Sequence, residues 1–259
     1  MRPLSPTVIN NFLTPFTIAL QFLTRIPVPV VGQFSDQAQA QSLLYYPLVG
    51  LVIGCLLIIA PFPDSTAALS AALLLTLWTA ITGGLHLDGL ADSADAWAGG
   101  AADPERTLAI MKDPASGPLG VTALLLVLLI KFAGIYELVL HAQTWQLLLP
   151  PVLGRTAIIL LLLSTPYVRR HGLGSKMSTL MPRKKAIATL LIVFAAIGWI
   201  LGPSAFWLLS GLLATGGFLR HIMCQRIGGT TGDTLGALVE IIEATSLALL
   251  VIIYLPSSP

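Results

Sequence analysis

Val121–Leu140 reads VTALLLVLLIKFAGIYELVL, a run almost without polar relief. About 20 such residues are what a helix needs to cross a ~30 Å hydrocarbon layer, and this pattern constrains the chain more than any other feature. It recurs. Seven candidate spans fall at 43–62, 66–85, 119–140, 146–165, 186–202, 204–219 and 235–255. The fifth and sixth are short and separated by Gly202-Pro203, so they could form one bent re-entrant unit. Soluble domains carry about 25% charged residues; this chain carries 10%, with 55% apolar residues and a mean hydropathy of +0.85. It has too little polar surface to cover a globule. The fold class expected is all-α, a polytopic integral membrane helical bundle of about seven transmembrane helices, read as one domain over 1–259.

The first 25 residues hold a weaker apolar stretch, INNFLTPFTIALQFLT, interrupted by Pro15 and two asparagines. It lacks the basic flank and small-residue cleavage site of a signal peptide, and an in-plane interfacial helix is expected instead. Twelve of the 14 basic residues lie in alternate connections. These are Arg2 and Arg25, then Arg106 and Lys112, then the run from Arg169 to Lys185, then Arg220 and Arg226. The other connections, around Asp64, His141 and Gly202, have none. The basic side is then cytoplasmic, with the C-terminus on the opposite face. Lys131 and Arg155 lie inside spans. No basic groove with interleaved aromatics is visible, so no nucleic-acid partner is expected. Cys55 and Cys224 suggest neither a disulfide nor a metal framework.

Against this background GGLHLDGLADSADAWAGG (83–100) stands out, because Asp88, Asp92 and Asp95 put a quarter of the 12 acidic residues into eight positions. On a helix, spacings of four and three align them on one face, where like charges repel. A divalent cation reverses that interaction, and Mg²⁺ takes carboxylate oxygens while sharing itself with substrate phosphates. The plain alternative is a solvated acidic face. His86 is a candidate ligand or base, or simply an interfacial side chain. Next, Asp103-Pro104-Glu105 reads as a helix start. It leads to Arg106, Lys112 and Asp113, which suit a phosphate-bearing substrate or merely enforce topology.

A second cluster, RIGGTTGDTLGALVEIIEA (226–244), offers Gly228, Gly229 and Gly232 for a tight turn whose N–H groups can cradle phosphate. It also brings Asp233 as a candidate metal ligand and Glu240 and Glu243 at the start of the last span. Ionisable residues in a span are costly and mark a cavity or a partner. Arg155 is a further intramembrane candidate. PYVRRHGLGSKM supplies Arg169, Arg170 and Lys176.

Taken together, HLDGLADSADAW (86–97), RTLAIMKDPASGPLG (106–120), Gly154-Arg155, PYVRRHGLG (166–174) and GGTTGDTLGALVEIIE (228–243) resemble the adenosylcobinamide-GDP ribazoletransferase family, also called cobalamin 5′-phosphate synthases. FLTRIPVP (22–29) and YPLVGLVIG (46–54) fit as well, so the resemblance runs through nearly the whole chain in order. One position departs, Pro114, where a serine is expected after the Met-Lys-Asp triplet. The resemblance implies a bacterial inner-membrane enzyme of late cobalamin assembly with Mg²⁺ as cofactor. It implies adenosylcobinamide-GDP and α-ribazole or its 5′-phosphate as substrates, and GMP as the leaving product. Catalytic roles would then fall on Asp88, Asp92 and His86. Metal ligation would fall among Asp88, Asp92, Asp95, Asp113, Asp233 and Glu240. Phosphate contacts would come from Arg106, Lys112, Arg155, Arg169, Gly228, Gly229 and Gly232. A homo-oligomer is compatible with this reading.

Two other readings compete. A CDP-alcohol phosphotransferase uses similar chemistry, but its Asp-Gly is followed by an Ala-Arg pair, whereas here Gly89 is followed by LADSADAW with no arginine. A cation transporter or channel would spread Arg155, Glu240 and Glu243 along a pathway and show repeated half-chains, and no repeat is visible.

Overall fold

The computed structural model describes residues 6–28, 35–60, 66–101, 103–169 and 173–255. Arg2, Asp64 and Arg170, named above, lie outside them. Twelve α-helices follow one another among the described residues: α1 Pro6–Leu23, α2 Asp36–Ser42, α3 Tyr46–Ile59, α4 Ala67–Thr82, α5 Leu85–Gly99, α6 Pro104–Ile110, α7 Pro118–Leu140, α8 Leu149–Ser164, α9 Leu173–Leu180, α10 Arg183–Leu201, α11 Ser204–Ile227 and α12 Gly232–Tyr254. Their starts follow from local chemistry. Ser35, Thr66 and Asp103 accept from backbone N–H groups of the first turns of α2, α4 and α6, satisfying donors that have no partner inside the helix. Thr231 and Thr234 close a reciprocal capping box on α12. Proline occupies the first turn of α3, α6, α7 and α8, where its missing N–H costs nothing.

Five helical stretches are long and apolar enough to cross a membrane: Asp36–Ile59, Pro118–Leu140, Thr144–Ser164, Arg183–Leu201 and Gly232–Tyr254. The chain is an integral membrane protein of the all-α class. The expected second span, 66–85, is instead one arm of a broken helix. α4 and α5 pass the same test only as a pair, and the pair bends by 89°. The break sits at Gly83 and Gly84, both left-handed with φ of 63° and 70°, a conformation costly to any residue with a Cβ. The Arg25 side chain packs directly against Gly83, where a Cβ would collide with it, and the Arg25 N–H donates to the Ile81 carbonyl at 2.7 Å. α10 and α11 are separate helices of 19 and 24 residues joined at Gly202. α11 fails the span test, and its last turns carry Arg220, His221, Gln225 and Arg226.

α12 is the centre of the bundle, packed against α5, α7, α8 and α11. The C-terminal half of α1, expected to lie in the interface plane, contributes buried Ile18, Ala19, Leu20 and Leu23 to the main core. Large apolar side chains also point outward, including Leu125, Leu126 and Leu129 on α7, Ile192 and Trp199 on α10, and Phe206 and Phe218 on α11. A contiguous apolar exterior of this kind is a lipid-facing surface.

The basic residues gather at the end of the bundle where α5 lies. Arg183 donates to the Leu163 carbonyl, Arg220 to Ser164 and Thr165, and Arg226 to the Trp97 carbonyl. They cap helix ends whose carbonyls have no partner of their own.

Candidate active site

α5 turns away from α4 across the basic end of the bundle and runs alongside the first turns of α12. The two backbones meet at glycines. A Cβ on Gly89 would lie 2.7 Å from the Asp233 carbonyl oxygen, and one on Gly236 would lie 3.2 Å from that of His86. Only because these positions lack side chains do Asp88 and Asp92 of α5 share one region with Asp233 of α12. Asp88 is exposed, and Asp92 and Asp233 are half-buried. Arg169, from the segment after α8, places Nη2 2.7 Å from Asp233 Oδ2. That contact is a charge pair without hydrogen-bond alignment, since neither atom has a hydrogen-bond partner.

Among the described residues three carboxylates thus face one guanidinium. The imbalance is visible on Asp92, outside the spanning helices. Burial, then the charges of Asp88 and Asp233, push its carboxyl up to about 6, with Arg169 pulling the other way and Asp95 adding to the rise. Tyr167 is raised chiefly by burial, with Arg169 opposing it, and its hydroxyl takes a backbone hydrogen bond from Gly232.

Not every expected site residue joins this cluster. Asp95 is on the same helix, but its two oxygens accept from Gly117 N at 2.6 Å and Gly120 N at 2.8 Å. It anchors the start of α7 to α5. Asp113 is exposed and accepts from Ala115 N at 3.0 Å within its own turn. Arg106 and Lys112 are exposed, and no ion pair ties them to the carboxylates among the described residues. Gly228 and Gly229 do not form an open cradle. Gly228, at φ 74°, terminates α11, and Gly229 presses against the Pro166 carbonyl where the chain pairs with 166–168 through Thr230 N–Pro166 O (2.8 Å) and Val168 N–Thr230 O (2.9 Å). Of the three glycines, Gly232 lines the cavity beside the acids.

The intramembrane charges also have another occupation. Lys131 on α7 reaches Glu240 and Glu243 on α12, each at 2.5 Å, and stacks over the Trp78 ring 4.6 Å from its centroid. Arg155 on α8 pairs with the other oxygen of Glu243, and its Nη2 lies 3.4 Å from His86 Nδ1. All these charged side chains are buried. Two cations meet two anions, the condition under which buried charge is tolerated. Glu240 is therefore spent on Lys131, and Arg155 on Glu243 and His86, rather than on metal or diphosphate. A transport path is disfavoured for the same reason, since the charges are closed onto one another. An arginine only donates, so His86 Nδ1 must accept and its Nε2 carries the proton. In this arrangement His86 is a hydrogen-bond donor and not a base.

Whether the residues suit Mg²⁺ can be judged from the donors. Among the described residues no group of three or more His, Cys, Asp or Glu is arranged to hold a metal ion, so an all-protein cage is absent. Mg²⁺ commonly takes one or two carboxylates and leaves the rest to water and substrate phosphate. Asp88, Asp92 and Asp233, the last shared with Arg169, supply that kind of oxygen set, and they fit the ion on those terms.

The family model for cobalamin-5-phosphate synthase matches residues 15–251. Proteins named adenosylcobinamide-GDP ribazoletransferase are similar over most of their length. One from Pseudomonas putida is 52% identical over 233 residues, covering 89% of this chain and 95% of the relative. One from Stutzerimonas stutzeri is 48% identical over 91% of this chain and 96% of its own, and one from Pseudomonas syringae is 48% identical over 93% and 100%. No solved structure matches. With nearly the whole chain matched and the glycine-spaced acids of α5 and α12 inside the matched region, the chain belongs to the cobalamin-5-phosphate synthase family.

Proposed function

We propose that the chain is a Mg²⁺-dependent transferase of the bacterial inner membrane, its site facing the cytoplasm. It joins adenosylcobinamide-GDP to α-ribazole or α-ribazole 5′-phosphate, giving adenosylcobalamin or its 5′-phosphate, and GMP leaves. Family membership supports the reaction, and the basic end of the bundle beside α5 supports the orientation. The observation that carries the site is the set of three carboxylates, Asp88, Asp92 and Asp233, with Arg169 as their cationic partner among the described residues and Asp88 and Asp233 lining a cavity.

In the reaction the ribose 3′-oxygen attacks the phosphorus that bears the cobinamide arm. The bond from that phosphorus to the bridging oxygen breaks, and GMP departs with the electron pair. Asp92, with its proton affinity raised toward neutrality, takes the hydroxyl proton. Arg169, held beside the acids by its ion pair with Asp233, contacts a non-bridging phosphate oxygen. Asp88 and Asp233 supply oxygen donors for the ion. When bound, Mg²⁺ neutralises charge on the diphosphate and the departing phosphate. His86 and Gly232 line the space where the nucleophile is seated.

The test is GMP release by the purified protein in bilayer discs, with and without α-ribazole and across a Mg²⁺ titration. Release that needs both the ion and the ribazole supports the reading. A protein that leaves adenosylcobinamide-GDP intact under all these conditions refutes it.

A further inference from the structure

Next to the carboxylates lies a cavity of about 200 Å³, bounded by the ends of α1 and α8 and the beginnings of α3, α5 and α12. Its interior is made by Leu23, Leu43, Ile158, Leu162 and Met177, all buried. Its polar lining is His86, Asp88 and Asp233, together with Tyr46, which hydrogen-bonds Ser42, and Tyr167, which takes a backbone hydrogen bond from Gly232. Sites for drug-sized ligands run to about 300–1,000 Å³, so this one has room for a single fused ring system and not for a nucleotide or a macrocycle.

We propose, resting on the function above, that this cavity is the seat of the apolar bicyclic base of the ribazole nucleoside, and that His86 Nε2 donates to the free imine nitrogen of that base. A benzimidazole riboside has one ring nitrogen bonded to the sugar and one with a free lone pair, hence a single polar atom on an otherwise apolar bicycle. The cavity suits that distribution, with an apolar interior and, along its polar edge, a histidine N–H held in place. The donor is fixed from behind. Lys131, Glu240, Glu243 and Arg155 form a buried chain of charges that ends on His86 Nδ1, leaving Nε2 protonated.

The position of the acids selects the same occupant. The attacking hydroxyl is on the sugar joined directly to the base, so a seated base brings its ribose to the rim occupied by Asp88 and Asp233. The guanine of the other substrate is the alternative. Between it and the scissile phosphorus stand a ribose, a methylene and a whole phosphate, which would hold that phosphorus away from the rim. Guanine also carries a row of donors and acceptors that leucine, isoleucine and methionine leave unpaired.

The experiment measures KM for each substrate separately, using full-length protein in bilayer discs. Leu162→Phe narrows the cavity from α8, and Met177→Phe does so from α9, so either variant can stand if the other fails to fold. The expected result is a rise of about tenfold or more in KM for α-ribazole, with KM for adenosylcobinamide-GDP within about twofold. His86→Leu raises the ribazole KM by a similar factor, and His86→Gln, which keeps an N–H donor, recovers most of it. Free 5,6-dimethylbenzimidazole competes with α-ribazole and guanosine does not. If the KM shifts appear on the corrinoid side instead, or guanosine is the competitor, the assignment is overturned while the transferase reading survives. A wild-type protein that releases no GMP defeats that reading and this one with it.

Discussion

Two groups of charges sit within a few helical turns of each other, and they are built on opposite principles. The buried group, Lys131, Arg155, Glu240 and Glu243, is balanced and closed. Each cation has a carboxylate, and together they link α7, α8 and α12. The group at the end of the bundle, Asp88, Asp92 and Asp233 against Arg169, is unbalanced and open. A balanced set at low dielectric has nothing left to offer a ligand, and its value is in specifying how three helices fit. An unbalanced set at the rim stores repulsion that a cation or a cationic contact can relieve. Charge count and access, more than the mere presence of acids in a membrane protein, therefore separate scaffold from site.

The sharpest way to break this comparison is to unbalance the closed group. Glu243→Gln leaves Lys131 and Arg155 short of a carboxylate. We expect a loss of about 3–5 kcal/mol of stability, seen as a collapse of the thermal transition in detergent. A double replacement, Lys131→Met with Glu240→Gln, removes one charge of each sign and should cost much less. Equal losses from both would mean that packing, and not charge balance, holds the three helices together.

For the open group the expectation reverses, with large effects on rate and small ones on folding. Asp88→Asn and Asp92→Asn should each lower turnover by about 10²–10³, the usual cost of one positioned charge contact, while insertion stays intact and neither variant melts lower than wild type. Normal turnover by both variants at limiting Mg²⁺ would make these acids a solvated face.

Asp92 also sets a pH dependence. Its carboxyl is raised to about 6, well above the usual carboxylate range, so the folded protein holds this proton more tightly than the unfolded chain does. Ionising Asp92 therefore costs stability as pH rises from about 4 through 6, and that cost persists above. Asp92→Asn should melt higher than wild type at pH 7.5, with the gap closing by pH 4, and a gap that widens on acidification would contradict the sign. As a base, Asp92 makes turnover rise through pH 6.

Asp95 tests the border between the groups. Its role in tethering Gly117 and Gly120 predicts that Asp95→Asn costs about 1–2 kcal/mol of stability, in the range of a lost helix cap, with turnover of the folded fraction changed little. At the small end, replacing Arg183, Lys184 and Lys185 together with glutamine should leave turnover within about twofold once insertion is matched, because exposed charges of this kind act mainly on orientation. A loss of an order of magnitude in correctly inserted protein would bring this run into the site.

The helical class, the membrane setting and the concentration of acids on α5 were all legible in the sequence, because each depends on local composition or on spacing along a single helix. What was not legible is pairing across distance. Arg155 and Glu240 announced themselves as expensive in a bilayer, and nothing local says whether such a residue serves a ligand or another residue. The answer lies in Lys131 and Glu243, which approach only when α7, α8 and α12 pack. Asp95 aligns with Asp88 and Asp92 by spacing, yet two backbone N–H groups more than 20 positions away claim it. The break at Gly83-Gly84 had a visible signal in the doubled glycine, but its direction depends on Arg25 from another segment. The cavity has no local signal for the same reason: its walls come from α1, Leu43 in the turn before α3, α3, α5, α8, α9 and α12, and no single stretch hints at a shared space.

The closed charge group also bears on how the protein is made. Both of its carboxylates belong to α12, while its cations belong to α7 and α8, which are synthesised before it. During synthesis Lys131 and Arg155 wait in the translocation machinery or in lipid without their partners. Arrival of α12 completes the set and lets the three helices lock. A chain stopped short of Gly232 keeps two cations without their carboxylate partners within its hydrophobic segments, a costly state in lipid. The same carboxylates that hold the finished bundle together thus neutralise charges that α7 and α8 carry unpaired until α12 is made.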